Sequence, residues 1–180
     1  MRAPFQVLVI PYRRDRTGVR FALLKRRDAG YWQFVAGGGE QGETPQDAAR
    51  REAQEELGIE TLGSVMPLHA MATVPKNCFP AAATWDRNLY VVPEYCFAVE
   101  IGENYIGVSD EHTECLWLGY QQAFQLLKWD SNRTALDTSR CREPFLCCGL
   151  HTREALRTLS PVSSERCLTT RSSGSLAFAA

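Results

Sequence analysis

Between residues 37 and 59 the chain passes from three consecutive glycines, Gly37, Gly38 and Gly39, into a segment whose acidic residues recur at helical spacing. Glu52, Glu55 and Glu56 stand at i, i+3 and i+4, so a helix carries all three carboxylates on one face within side-chain reach. Thr44 is a good N-cap, Pro45 suits the first helical position, and Gly58 suits the position just past the last turn. The opposite side of the helix, Ala48, Ala49, Ala53 and Leu57, is apolar and is expected to pack on a sheet. Read as a solvated face flanked by Arg50 and Arg51, the carboxylates need no special explanation, because charged side chains are usually exposed. The glycine-rich loop ahead of them favours a different reading. Clustered carboxylates beside a backbone that admits close approach suit a hard cation with oxygen ligands. Mg²⁺ takes one or two carboxylates and keeps positions for water and substrate phosphates. A bound cation would also relieve the repulsion between the three like charges.

The rest of the chain supplies the sheet. Residues 5–10 and 19–24 read as a β-hairpin around the turn-rich residues 13–18, with Pro11 bounding the first strand. Residues 32–36 form a short apolar run that ends at the glycines. Residues 64–74, 89–101 and 115–118 read as further strands, residues 120–127 as a second helix, and a third helix begins near Asn132. Strands interleaved irregularly with helices predict an α/β or α+β layered sandwich with a mixed sheet. A single domain is expected over residues 1–150. The extension over residues 151–180 turns rich in Ser and Thr past Leu159 and is expected to be loose there.

Twenty Lys and Arg against 21 Asp and Glu leave a net charge of −1, so no global field draws the chain to nucleic acid or to an acidic membrane. Any phosphate must be met locally. Seven cysteines without paired CxxC spacing argue against a disulfide framework or a zinc site. No window reaches the roughly 18 apolar residues of a membrane span. A cytoplasmic monomer or homodimer with reduced thiols is expected.

The segment resembles the signature of the Nudix hydrolase family, Gly-x5-Glu-x7-Arg-Glu-U-x-Glu-Glu-x-Gly-U with U aliphatic. Gly37, Glu43, Arg51, Glu52, Glu55, Glu56 and Gly58 fill every fixed position, and Ala53 and Ile59 fill the aliphatic ones. The resemblance implies that family's αβα sandwich over residues 5–150. It also implies Mg²⁺, with Mn²⁺ as a substitute, on Glu52, Glu55 and Glu56, of which Glu52 and Glu56 are the most indispensable. It further implies a carbonyl offered from Gly37, with Gly38 beside it, and an ion pair between Glu43 and Arg51 that braces the loop against the helix. The chemistry is hydrolysis of a diphosphate bond. That bond is negatively charged and repels hydroxide, so cations must neutralise its oxygens, orient the water and stabilise the leaving phosphate. Glu52, Glu55 or a carboxylate from a later loop serves as base, and spacing does not choose among them.

Within the family the chain is most similar to the bacterial dATP and dihydroneopterin triphosphate pyrophosphohydrolase branch. The resemblance is carried by Lys25-Arg26-Arg27, by Tyr31-Trp32-Gln33-Phe34, by Glu111-His112 ahead of Trp117-Leu118, and by Trp129-Asp130-Ser131-Asn132-Arg133. It implies Glu111 as an additional metal ligand or base and a nucleoside or pterin triphosphate as substrate. Glu94, which interrupts a strand-like run, is a lesser candidate. Trp32 and Trp85, ahead of Tyr31 and Phe79, are the expected stacking partners of the substrate ring. Arg26, Arg27 and Arg87 are the expected cations for its phosphates. Val74 stands where ADP-ribose hydrolases of the family carry a proline, and Pro75 one further on reads as a strand-ending residue. An ADP-ribose hydrolase is one alternative. A nucleotide-binding module without activity is another, although loss of the acidic residues usually marks such modules and here all are present.

Overall fold

The computed structural model describes residues 1–16, 18–102, 106–140 and 165–166. In chain order its elements are strands β1 (Arg2–Asp15), β2 (Gly18–Arg26), β3 (Trp32–Gln33) and β4 (Val35–Glu40), helix α1 (Pro45–Leu57), strands β5 (Val65–Pro75), β6 (Val91–Glu100) and β7 (His112–Leu118), helices α2 (Tyr120–Leu126) and α3 (Asp130–Arg140), and strand β8 (Glu165–Arg166). Two short 3₁₀ turns, Lys76–Cys78 and Pro80–Thr84, occupy the connection between β5 and β6.

The sheet is organised by β1, which is long enough to pair three ways. Its first half lies between β4, antiparallel, and β6, parallel, while its second half forms a hairpin with β2. The sheet is therefore mixed. Side chains alternate across it. Val7 and Val9 face α1 and pack with Ala48, Ala49, Ala53 and Leu57, all fully buried. Leu8, Ile10 and Tyr12 face the other way and pack with Ala123 of α2, with Leu127 at its end, and with Ala135 and Leu136 of α3. Two cores on opposite faces of one sheet make the αβα sandwich, and α1 is fixed by the core nearest the acidic segment.

The ends of α1 lie where the sequence puts them. The Thr44 hydroxyl accepts from the Asp47 N–H at 3.2 Å, Pro45 opens the helix, and Gly58 takes the left-handed φ of 63°. A Cβ on Gly58 would stand 2.4 Å from the Gly107 carbonyl oxygen, so glycine is also required for close approach.

Several expectations need correction. Pro11 does not bound the first strand: it pairs opposite Val99 within the parallel ladder, and β1 runs on to Asp15. Gly37, Gly38 and Gly39 do not end their strand either. They lie within β4, where Gly37 pairs with Val7 and Gly38 with Gln6, because β1 supplies the ladder and the absent side chains make room for other groups. Pro75 does end β5. Reduced thiols are contradicted at Cys115, which is disulfide-bonded, whereas Cys78 and Cys96 are free. Pairing between distant segments is set by the tertiary fold and leaves no mark in local spacing. The loose tail expected past Leu159 lies outside the described residues except for β8, which pairs antiparallel with Leu116 and Trp117 of β7. Among the described residues, no helix is long and apolar enough to cross a membrane.

Candidate active site

Packing of α1 on the sheet turns Glu52 and Glu56 toward β4. A Cβ on Gly37 would stand 2.0 Å from Cδ of Glu52, so the missing side chain is what seats the carboxylate against the strand. Glu56 is only 5% exposed; its Oε1 accepts from the Ala36 N–H at 3.3 Å, and its Oε2 is buried without a hydrogen-bond partner. Burial, with repulsion from Glu52 next, raises the Glu56 pKa to about 8. Burial also raises that of Glu52. The Glu55 side chain, by contrast, is 60% exposed.

Arg51 binds this corner together. Its guanidinium grips Glu43 with two hydrogen bonds, Nε to Oε1 at 2.8 Å and Nη2 to Oε2 at 3.0 Å, and Nη2 also donates to the Gly38 carbonyl at 2.9 Å. The second Glu43 oxygen accepts from the Glu40 N–H at 2.8 Å, which closes the loop before α1. Bonding to Arg51 holds the Glu43 pKa down at about 2. Arg51 Nη1 reaches back to Glu52 at 2.8 Å and to Glu55 at 3.4 Å.

The segment before β7 is tied to the C-terminal end of α1, where the Gly107 and Ser109 N–H groups donate to the carbonyls of Leu57 and Glu56. That anchorage delivers Glu111 and His112. His112 is 2% exposed, and its Nε2 lies 3.5 Å from Glu56 Oε2. The separation fits an ion pair, but burial lowers the His112 pKa to about 4 while Glu56 is raised, so both groups are uncharged near neutrality in the metal-free protein. The Glu111 side chain is 62% exposed and accepts from Arg26 Nη1 at 2.6 Å, near enough to Glu56 to add to its repulsion.

The expected phosphate cations are placed differently from expectation. Arg26 is held by Asp28 through two hydrogen bonds at 2.8 and 3.1 Å as well as by Glu111. Arg27 donates to the carbonyls of Asp110 and His112. Both therefore shape the Glu111 loop, their donors turned to protein oxygens. Arg87 is exposed in the connection between β5 and β6.

Trp85 does not present an open ring. It packs on Phe79 with centroids 5.6 Å apart, and its Nε1–H donates to the Arg2 carbonyl at 2.9 Å. Trp32 packs against the core on the α3 side, with the Lys25 ammonium 5.8 Å from its ring centre. Tyr31 meets Trp129 edge to face at 5.3 Å. Glu94 lies within β6, 4% exposed, and accepts from Gln6 Nε2 at 3.3 Å, while Gln6 Oε1 accepts from Arg2 Nη2 at 3.2 Å. Sequence reasoning missed Arg2 and Gln6. The one available signal was a polar Gln6 at the head of an apolar strand.

The donors fit a hard divalent cation: Glu52 offers its carboxylate beside the side-chain-free Gly37, Glu56 lies against the preceding Ala36 N–H, and the buried Oε2 of Glu56 has no hydrogen-bond partner. Among the described residues no three His, Cys, Asp or Glu side chains converge on one point, and Arg51 is the group that holds Glu52 and Glu55.

The fold and the acidic corner point to one family, and the chain matches the NUDIX domain across residues 3–137. It belongs to that family and is a Nudix hydrolase. It is similar to the dihydroneopterin triphosphate diphosphatase of Escherichia coli K12, with 32% identity over 142 residues that cover 76% of this chain and 91% of the relative. The structure of the E. coli dihydroneopterin triphosphate pyrophosphohydrolase superposes with a TM-score of 0.61 at 30% identity, covering 76% of this chain and 94% of that one. The crystal structure of a protein of the NUDIX hydrolase class from Listeria monocytogenes gives a TM-score of 0.68 at 42% identity, covering 77% and 94%.

Proposed function

We propose that the chain hydrolyses a diphosphate bond in a nucleoside or pterin triphosphate, with Mg²⁺ bound by Glu52, Glu56, Glu55, Glu111 and the Gly37 carbonyl, releasing a monophosphate and pyrophosphate. The observation that carries this reading is the seating of Glu52 against Gly37 and of Glu56 against the Ala36 N–H, with one carboxylate oxygen of Glu56 buried and unpartnered, in a chain similar over three quarters of its length to a dihydroneopterin triphosphate diphosphatase.

When bound, the metal supplies charge neutralisation at the phosphate oxygens and lowers the pKa of a coordinated water. The chain's own residues do the rest. Arg51 keeps the glycine strand and α1 in register through Glu43 and the Gly38 carbonyl, so releasing Glu52 and Glu55 to a cation does not free the loop. Glu56, protonated near neutrality without metal, would have to lose its proton to serve as a ligand. Glu52, Glu55 and Glu111 are the carboxylates that would accept the proton of the attacking water, and Arg26 orients Glu111.

The test is hydrolysis of dihydroneopterin triphosphate, dATP, other nucleotides and ADP-ribose in Mg²⁺, with isotope-labelled water to identify the attacked phosphorus. Cleavage of triphosphates with release of pyrophosphate is expected. Faster cleavage of ADP-ribose than of every triphosphate would reassign the substrate, and binding without turnover of any of them would make the chain a sensor.

A further inference from the structure

We propose that Arg2 is the residue that grips the substrate's polyphosphate, held ready for it by Trp85. The assignment rests on the triphosphate reading and adds a residue to it. Of the arginines around the acidic corner, Arg26, Arg27 and Arg51 direct their donors at protein carboxylates or carbonyls. Arg2 differs. Its one described side-chain hydrogen bond goes to a neutral group, the Gln6 amide oxygen, and its Nε is buried with no partner. It is close enough to Glu52 and Arg51 for both to act on its charge.

The backbone is arranged to put it there. Gly37 and Gly38 are consecutive in β4, so their missing side chains leave room on opposite faces of one strand. Glu52 fills the first space. The Arg2 guanidinium fills the second: a Cβ on Gly38 would stand 1.7 Å from its Cζ. A cation site on Glu52 and the guanidinium thus flank the same two residues of bare backbone. A polyphosphate lying along that edge would have metal on one side and the charged guanidinium on the other, a pairing that suits phosphate oxygens.

Arg2 is fixed from both ends. Its carbonyl accepts from the Trp85 indole, its backbone pairs with Glu40, and its guanidinium lies 5.5 Å from the Phe79 ring centre. Preorganising a long side chain in this way removes an ordering cost that binding would otherwise carry. Trp85 and Phe79 then serve the site by positioning the arginine.

The test compares wild type with Arg2→Ala, Arg2→Gln, Arg2→Lys and Trp85→Phe. Calorimetric affinity for inorganic tripolyphosphate in Mg²⁺ is measured alongside kcat, KM and melting temperature. Arg2→Ala and Arg2→Gln are expected to weaken tripolyphosphate binding and raise KM by about ten- to a hundredfold, the loss of charge-assisted hydrogen bonds. The Mg²⁺ concentration for half-activation should not move. Arg2→Lys should recover part of the affinity because it keeps the charge, and Trp85→Phe should weaken binding by a smaller factor. Unchanged affinity and KM in Arg2→Ala would overturn the assignment, as would a wild type that binds no tripolyphosphate, or a Lys variant no better than the Gln variant. Arg2-dependent binding in a protein that cleaves none of the triphosphates would support the assignment and overturn the substrate reading instead.

Discussion

Oε2 of Glu56 lies 3.5 Å from Nε2 of His112, and neither atom has a hydrogen-bond partner. Burial makes both groups resist charging, and their effects on stability run in opposite directions. His112, lowered from 6.5 to about 4, refuses a proton that the unfolded chain accepts, so stability rises with pH across that interval. Glu56, raised from 4.5 to about 8, keeps a proton that the unfolded chain has lost, so stability falls across that one. The two offset each other up to pH 6.5, and above it Glu56 acts alone. Metal-free protein should therefore lose stability between pH 6.5 and 8, at up to about 1.4 kcal/mol per pH unit for one proton. Saturating Mg²⁺ should abolish the decline. Denaturant titrations across pH, with chelator and with Mg²⁺, check this, and a flat chelator profile would contradict it.

Glu56→Gln should keep the fold and lower kcat by about a thousandfold, corresponding to several kcal/mol of lost charge stabilisation by the metal. The same change removes the group that resists ionisation, so the metal-free variant should melt no lower than wild type above pH 7. Near wild-type turnover would remove Glu56 from the metal site. Glu111→Gln should cost less, about tenfold, because that side chain stands at the exposed rim.

Gly37→Ala places a methyl 2.0 Å from Cδ of Glu52. Glu52 must swing away, and kcat should drop by about a hundredfold through the displaced ligand, with the β4 ladder intact. Circular dichroism and activity measured together separate this outcome from unfolding.

Arg51→Ala removes the fork on Glu43 and the bond to the Gly38 carbonyl. The groups are partly exposed, so the loss of stability should be modest, about 1–2 kcal/mol. It should be accompanied by weaker Mg²⁺ activation, because the glycine strand is no longer tied to α1. Thermal melts and Mg²⁺ titrations of activity give the two numbers.

Ca²⁺ should bind and inhibit. It is larger than Mg²⁺ and tolerates irregular coordination, so it can occupy the carboxylates without aligning water and phosphate. Equal turnover in the two ions would argue that alignment by the metal is not what the site provides.

The parts of this molecule that obey local rules were legible in advance. Thr44, Pro45 and Gly58 mark α1 because capping depends on residues within one turn, and Glu52 and Glu56 share a face because helical spacing requires it. The glycines were legible as a place of close approach, but not as a strand, because their ladder partner is β1, some thirty residues away. Arg26 looked like a free cation because Glu111, its partner, is remote in sequence, while Asp28 lies only two residues on. Nothing in the sequence gives His112 a role, since only the packed loop reveals that it faces Glu56. Arg2 was invisible because a second residue reads as a frayed end.

The Met1 carbonyl accepts from the Gln41 N–H, and Arg2 already pairs with Glu40 beside the glycines. Whatever is joined to the amine of Met1, a purification tag included, therefore emerges beside the glycine strand that borders the proposed site. Kinetic constants taken from an amino-terminal fusion would describe a partly obstructed enzyme, and crystals grown from one would risk showing the tag where the substrate belongs.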